Sequence, residues 1–212
     1  MLILGIDTAL AACSAAIVRD GMVLATREVA MSRGHAEALA PLVSELAAEA
    51  GVAMAALERI AVTIGPGTFT GLRVGIAFAR GLGLALGIPV IGISTTEAVA
   101  KGIGVHFSVG VHAAALDDIY IEAFSGGERV IPAASMALAA AGKLVCDLGG
   151  TPILAGTAAD RLAALVPNAT VFDYPLPNPV IVAALAAERE PASAPPSPLY
   201  LRPPHITQPK PK

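Results

Sequence analysis

The chain has 212 residues, enough for one large domain or two small ones, with 14 Lys and Arg against 17 Asp and Glu and a net charge of −3. That balance excludes an overall basic field for nucleic acid, so any RNA contact needs another chain to supply most of the phosphate contacts. Hydrophobic residues make up 55% and mean hydropathy is +0.68, yet charges and prolines interrupt every apolar run before it spans a bilayer convincingly; the composition reads as an Ala-rich, soluble, cytoplasmic protein.

The opening MLILGIDTAL has no basic stretch and carries Asp7 inside its apolar run, unlike a secretory signal. Leu2–Ile6, Cys13–Arg19 and Met22–Val29 read as an antiparallel meander, the last two joined by Asp20-Gly21, a two-residue hairpin signal. Asp7 and Thr8 fall where the first strand turns. A carboxylate and hydroxyl there can hold a metal-bound phosphate, or cap the turn through local hydrogen bonds. Cys13 and Cys146 lie far apart without CxxC spacing, as free thiols in a reducing compartment.

Residues 32–51, SRGHAEALAPLVSELAAEAG, place Leu39, Leu42, Val43, Leu46, Ala47 and Ala50 at helical spacing with Gly51 as a stop. Pro41 either begins or kinks that helix. His35 has no HxxxH or HExxH companion and reads as a polar surface or interface group.

Ile60–Ile64 is a buried strand, Gly65-Pro66-Gly67 a turn, and the helix that follows is interrupted only by Arg73 and Arg80. Gly71, Gly75, Ala79, Gly83 and Gly87 recur every four residues, a ridge of minimal side chains. Each interior Gly costs about 1 kcal/mol relative to Ala, so the ridge implies close approach by another backbone. Leu72, Val74, Ile76, Phe78, Leu82, Leu84 and Leu86 make the helix apolar all round, to be covered by the chain's own sheet and by a second helix or a partner subunit. The Gly65–Gly71 loop lacks the lysine of a Walker A loop. For a dinucleotide fingerprint its spacing is one too long, and no carboxylate follows in Val90–Ile93. Thr68 or Thr70 at a helix N-terminus can attract an anion, but a turn built for tight helix packing explains the glycines better.

Pro89–Ile93 gives one more strand and Ser94-Thr95-Thr96-Glu97 starts a helix to about Lys101. A composition shift at Gly102–Gly104 separates a first lobe, 1–102, from a smaller second lobe, 103–190. There Phe107–Leu116, Ile119–Phe124 and Glu128–Ile131 are strand-like, Met136–Leu148 is partly helical and Pro152–Ala155 is a strand. Thr157–Val166 and Asn178–Glu190 are helices, with Pro179 in the first turn of the latter. Residues 191–212 form a Pro-rich strap and tail, with PLYLR at Pro198–Arg202 folding back along the body and the last ten residues disordered.

GIDTA at Gly5–Ala9, HAEALAP from His35, IGPGTFTGLRVGIAFARGLG from Ile64, IPVIGISTTEA from Ile88 and the late PLYLR together resemble the TsaB (YeaZ) family. The likeness is most specific in GPGTFTGLRVG and covers mainly the first hundred residues. It implies the α/β ASKHA fold of actin, hexokinase and Hsp70, with two ribonuclease H-like lobes. It also implies a place beside the TsaD enzyme, which transfers threonylcarbamoyl to tRNA with the help of the ATPase TsaE, making the threonylcarbamoyladenosine next to the anticodon. TsaD enzymes carry two histidines one helical turn apart that bind iron or zinc; Thr95 and Val99 stand at those positions here and cannot form that site. The paired-glycine nucleotide segment of those enzymes is reduced to Leu154-Ala155-Gly156-Thr157, and Asp117 and Asp118 stand where the family usually has a basic residue.

The expectation is a non-catalytic subunit with no metal and no cofactor beyond weak nucleotide binding at the joint surface, for which Asp7 and Thr8 are the weak candidates. It pairs with a TsaD-like enzyme through His35, Leu39 and Leu42 of one helix and Gly71, Arg73, Val74, Gly75, Phe78, Ala79 and Leu82 of the next. Alone, it pairs with itself. A TsaE-like ATPase shares the assembly and tRNA is contacted indirectly. On this reading Gly75→Leu abolishes partner binding while the monomer stays folded. The alternatives are an ATP-dependent ASKHA transferase with Asp7 at magnesium, and a metallopeptidase, for which His35, His106, His112 and His205 show no ligand spacing.

Overall fold

Leu2–Asp7 (β1), Ala12–Arg19 (β2) and Met22–Ala30 (β3) form an antiparallel meander in the computed structural model, which describes residues 1–201. Asp20 and Gly21 both take positive φ, 50° and 82°, the pairing that lets a two-residue turn follow the twist of its strands. β1 pairs in parallel with β4 (Arg59–Gly65), and β4 with β5 (Val90–Ser94), giving the order β3-β2-β1-β4-β5. One face of this sheet is covered by α1 (His35–Glu49) and α2 (Phe69–Leu86): Leu2, Leu4 and Ile6 of β1 pack with Leu39, Val43, Leu46, Leu72 and Ile76. α1 runs through Pro41, which sits on its exposed side, where solvent can take up the carbonyl that the ring leaves unpaired.

The same path is then traced again. β6 (Phe107–Ala113), β7 (Asp118–Ser125), β8 (Glu128–Ala137), β9 (Ile153–Ala155) and β10 (Thr170–Val171) make a second sheet in the order β8-β7-β6-β9-β10, with the same parallel and antiparallel pairings. α4 (Leu138–Asp147) and α5 (Ala159–Ala163) contribute Ala141, Val145, Ala159 and Leu162 to its core. β8 continues past Pro132 because it is an edge strand, where a missing N–H costs no ladder bond. The helix expected over 157–166 shortens to α5, and β10, two residues long, is too short to carry a periodic signal.

Two helices change lobes. α3 (Thr95–Gly102) leaves the first sheet and packs on β6 and β7, whereas α6 (Pro179–Ala187) leaves the second sheet and packs on β1, β2 and β4. A boundary at 102/103 therefore divides the chain's path but not its packing, and the 103–190 lobe gives up its last helix to the first. Close approach requires glycine under each crossing: a Cβ at Gly110 would overlap the Thr96 carbonyl, and one at Gly5 the Pro179 carbonyl.

An ionic network ties the crossing together. Glu97 and Glu122 are 4% and 1% exposed. Ser94 and Thr96 hydroxyls donate to Glu122 Oε2 at 2.6 and 2.8 Å, and Arg129 Nε lies 2.7 Å from Glu122 Oε1. Arg189 holds Glu97 at 2.5 Å and donates to the Gly92 carbonyl at 3.1 Å. Arg189→Met is expected to lower stability by about 2 kcal/mol, because it strips a buried carboxylate of its nearer cation. Urea unfolding checks this; a midpoint equal to wild type would show the pair to be dispensable.

Beyond α6 the chain returns along the first lobe. Pro196 lies against Gly92, and the Leu199 N–H donates to the Ile64 carbonyl at 2.7 Å. Arg202, and the last ten residues expected to be disordered, lie outside the described residues.

Candidate partner face and inter-lobe site

Asp7 closes β1 opposite Ser14 and is fully buried. Its Oδ1 accepts from the Thr63 hydroxyl at 2.5 Å and from the Ala9 N–H at 3.1 Å, while Oδ2 has no partner among the described residues. Burial pushes the carboxyl up to about 6, against the pull of those two hydrogen bonds. Thr8 Oγ1 donates to the Gly71 carbonyl at 2.8 Å and ties the β1 turn to α2. Asp7 makes one local turn bond, to the Ala9 N–H, whereas the other bonds of this pair reach β4 and α2.

His112 is the counterpart of Asp7 in the second lobe. It lies two residues after Gly110 in β6, as Asp7 lies two after Gly5 in β1, and it is 1% exposed. Nδ1 accepts from the Thr157 N–H at 3.3 Å, which puts the ring proton on Nε2, an atom with no partner among the described residues. Burial lowers this histidine to about 4, so it is neutral at physiological pH. Thr95 and Val99 are both buried in α3. Among the described residues no three His, Cys, Asp or Glu side chains gather as metal ligands.

From Gly71 to Gly83 the glycine ridge faces inward, which corrects its assignment as a partner surface, while Gly87 is exposed and caps α2 in the left-handed conformation. A Cβ on Gly71 would overlap the Thr8 carbonyl, one on Gly75 the Thr8 hydroxyl, and one on Gly83 the Val90 side chain. Ala79 is fully buried, and Leu39, Leu42 and His35 are 1%, 5% and 6% exposed. These residues line the chain's own core because the β1 turn and β5 pass directly beneath α2, and only tiny side chains allow that approach. Gly75→Leu is therefore expected to unfold the monomer instead of merely uncoupling a partner.

Arg73 is exposed and Val74, Phe78 and Leu82 are half-buried on the outer side of α2. Phe69 and Leu84, neither of them among the residues named for the expected interface, are 54% and 86% exposed there. Bulky residues opposite the glycines were the available signal for this outer face. Ala36, Leu39, Phe69, Arg73, Val74, Ala77 and Phe78 line a groove of about 560 Å³ between α1 and α2. Tyr200 borders it, stacked on Phe69 with ring centroids 6.1 Å apart; no local sequence signal places it there. By length and composition α2 is apolar enough to cross a membrane, a test that core helices also pass, and its glycine side is seated on the sheet.

The family model described as tRNA N6-adenosine threonylcarbamoyltransferase (TsaD) matches residues 28–115. An uncharacterized protein of Mycobacterium tuberculosis is 38% identical over 205 residues, 95% of this chain and 92% of that one. The tRNA threonylcarbamoyladenosine biosynthesis protein TsaB of Escherichia coli is 41% identical over 102 residues, 48% of this chain and 44% of that one. YeaZ from Pseudomonas aeruginosa, a solved structure, superposes with a TM-score of 0.77 at 26% identity over 94% of this chain and 99% of that one. Two ribonuclease H-like lobes with exchanged helices define a protein of the ASKHA class, the fold of actin and Hsp70. Within that class the chain belongs to the TsaB (YeaZ) family.

Proposed function

We propose that this chain is a non-catalytic subunit in the formation of tRNA threonylcarbamoyladenosine, docking a TsaD-like enzyme on the outer face of α2 and the adjoining side of α1. The observation that carries the reading is the exposed apolar surface on α2, with Phe69 and Leu84 at 54% and 86%, on a helix whose other side is already buried in its own core. The non-catalytic part is supported by Asp7 and Thr8, which are engaged within the chain, and by Thr95 and Val99, which offer no ligand pair. With a net charge of −3, the chain meets tRNA only through its enzyme. A TsaE-like ATPase belongs to the same assembly, the compartment is the cytoplasm, and without the enzyme the same face pairs with a second copy. No cofactor is needed, and any nucleotide at the joint surface binds weakly.

The test is calorimetric titration of the full chain with the full-length threonylcarbamoyltransferase of the same genome. A defined complex is expected, and Ala77→Glu, a charge placed in the groove at an exposed position, is expected to weaken it at least about tenfold. Equal affinity for Ala77→Glu counts against this face. Tight magnesium-dependent ATP binding by the isolated chain, lost in Asp7→Ala, would instead favour the transferase reading. One iron or zinc per purified chain would favour a metalloenzyme.

A further inference from the structure

We propose that Arg73 is held ready for a carboxylate on an apolar helix of the enzyme partner, and that Tyr200, delivered by the C-terminal strap, is the residue that positions it; this rests on the partner reading above. α2 carries Arg73 and Arg80 on its exposed side and no acidic residue along its whole length. Among the described residues, no carboxylate lies within ion-pair distance of Arg73. The guanidinium nevertheless has a fixed place. Its Cζ lies 3.7 Å from the centroid of the Phe69 ring, and its Nε–H donates to the Tyr200 hydroxyl at 3.2 Å. Tyr200 in turn stacks on Phe69, with 23° between the ring planes.

Those contacts occupy one ring-facing side and the Nε edge, leaving the two Nη groups as a fork of the width a carboxylate accepts. An exposed ion pair is usually weak because two long side chains must be ordered when it forms. Here the ordering of one of them is complete before binding. Arg73 also stands beside Ala36, Val74, Ala77 and Phe78 in the groove, an apolar surround that excludes water once covered and strengthens the pair.

The strap sets Tyr200 through its backbone. The Leu199 N–H is bonded to the Ile64 carbonyl at 2.7 Å, and the Leu199 carbonyl lies close over Gly65. A second copy of this chain is the poorer occupant. Of the three α1 carboxylates, Glu45 and Glu49 already pair with Arg27 at 2.5 and 2.8 Å, leaving only Glu37. The groove therefore fits a helix with small or apolar residues at its centre and an Asp or Glu at the Arg73 end.

The experiment titrates the full-length enzyme partner with the wild-type chain, Arg73→Met, Tyr200→Phe and Tyr200→Ala at low and high salt. Wild-type affinity is expected to fall with salt. Arg73→Met should bind about tenfold more weakly and lose most of that salt dependence. Tyr200→Phe keeps the stack but not the hydroxyl and should weaken binding about threefold, while Tyr200→Ala approaches Arg73→Met and adds nothing when combined with it. Tyr200 variants that bind like wild type, or an Arg73→Met chain with the wild-type salt response, overturn the proposal while leaving the partner reading standing. Variants that change only self-association in sedimentation overturn it too, because they assign the site to a second copy. Absence of any wild-type binding overturns the partner reading and this inference together.

Discussion

Gly110→Ala is expected to lower the stability of this protein by about 4 kcal/mol, and Gly5→Ala by a similar amount, both read from urea midpoints at constant slope. A methyl group on Gly110 lands on the Thr96 carbonyl oxygen, with the Ala100 nitrogen 3.1 Å away; on Gly5 it lands on the Pro179 carbonyl, with the Ala183 nitrogen 3.2 Å away. Overpacking a core normally costs about 1–3 kcal/mol, because side chains can turn aside. Here the obstacles are backbone atoms of α3 and α6, which move only if a whole helix lifts from its sheet. For a chain of this size the loss corresponds to roughly 10 °C in Tm. Gly81→Ala is the control: a Cβ there meets nothing within 4 Å among the described residues, and Ala favours the helix by about 1 kcal/mol. A Gly110→Ala protein with the wild-type midpoint would mean that α3 is not seated on β6.

These two glycines also mark the limit of what the sequence could reveal. The meander and the start of α2 were legible because short apolar runs, the Asp20-Gly21 turn and the Gly65-Pro66-Gly67 break are local signals, and the structure places the strands, the turn and the helix there. The glycine ridge announced close approach but not by what. The occupant is the β1 turn at Thr8, sixty-three residues before Gly71, and nothing in a local period names it. Crossing of α3 and α6 between lobes was hidden for a related reason. The α6 segment PVIVAALAA is apolar on every side, so it fits either sheet, and the choice is made by tertiary packing of Val182, Ala183 and Ala186 against Ile3, Ala16 and Ala61. Tyr200 is the extreme case, meeting Arg73 across 127 residues of chain. A helix apolar all round does not show which side its own sheet takes, so the sequence groups Val74, Phe78 and Leu82 with Gly71, Gly75 and Ala79 in one expected interface.

Asp7 and His112, at matching ends of β1 and β6, titrate in opposite senses, and replacing either one alone is expected to tilt the pH dependence of stability. Asp7 moves from its ordinary 3.8 up to about 6. Across that window the folded chain binds the proton more tightly than the unfolded one, so the contribution to stability is greatest in acid and is lost as pH rises. His112 moves from 6.5 down to about 4. There the unfolded chain binds the proton more tightly, so stability is gained as pH rises through the same range. Shifts of this size are worth about 3 kcal/mol each, and both groups are buried, so in the wild-type protein their slopes largely cancel. Asp7→Asn leaves the histidine uncompensated, and its stability should climb by about 3 kcal/mol relative to wild type between about pH 4 and 6.5. His112→Gln leaves the carboxylate uncompensated, and its stability should fall by about the same amount between about pH 4 and 6. Urea midpoints of the three proteins across that range give the comparison. Variant profiles that run parallel to wild type would mean that neither strand end is closed to water, and the capped, turn-bound state of Asp7 would then give way to one open to a magnesium-bound phosphate.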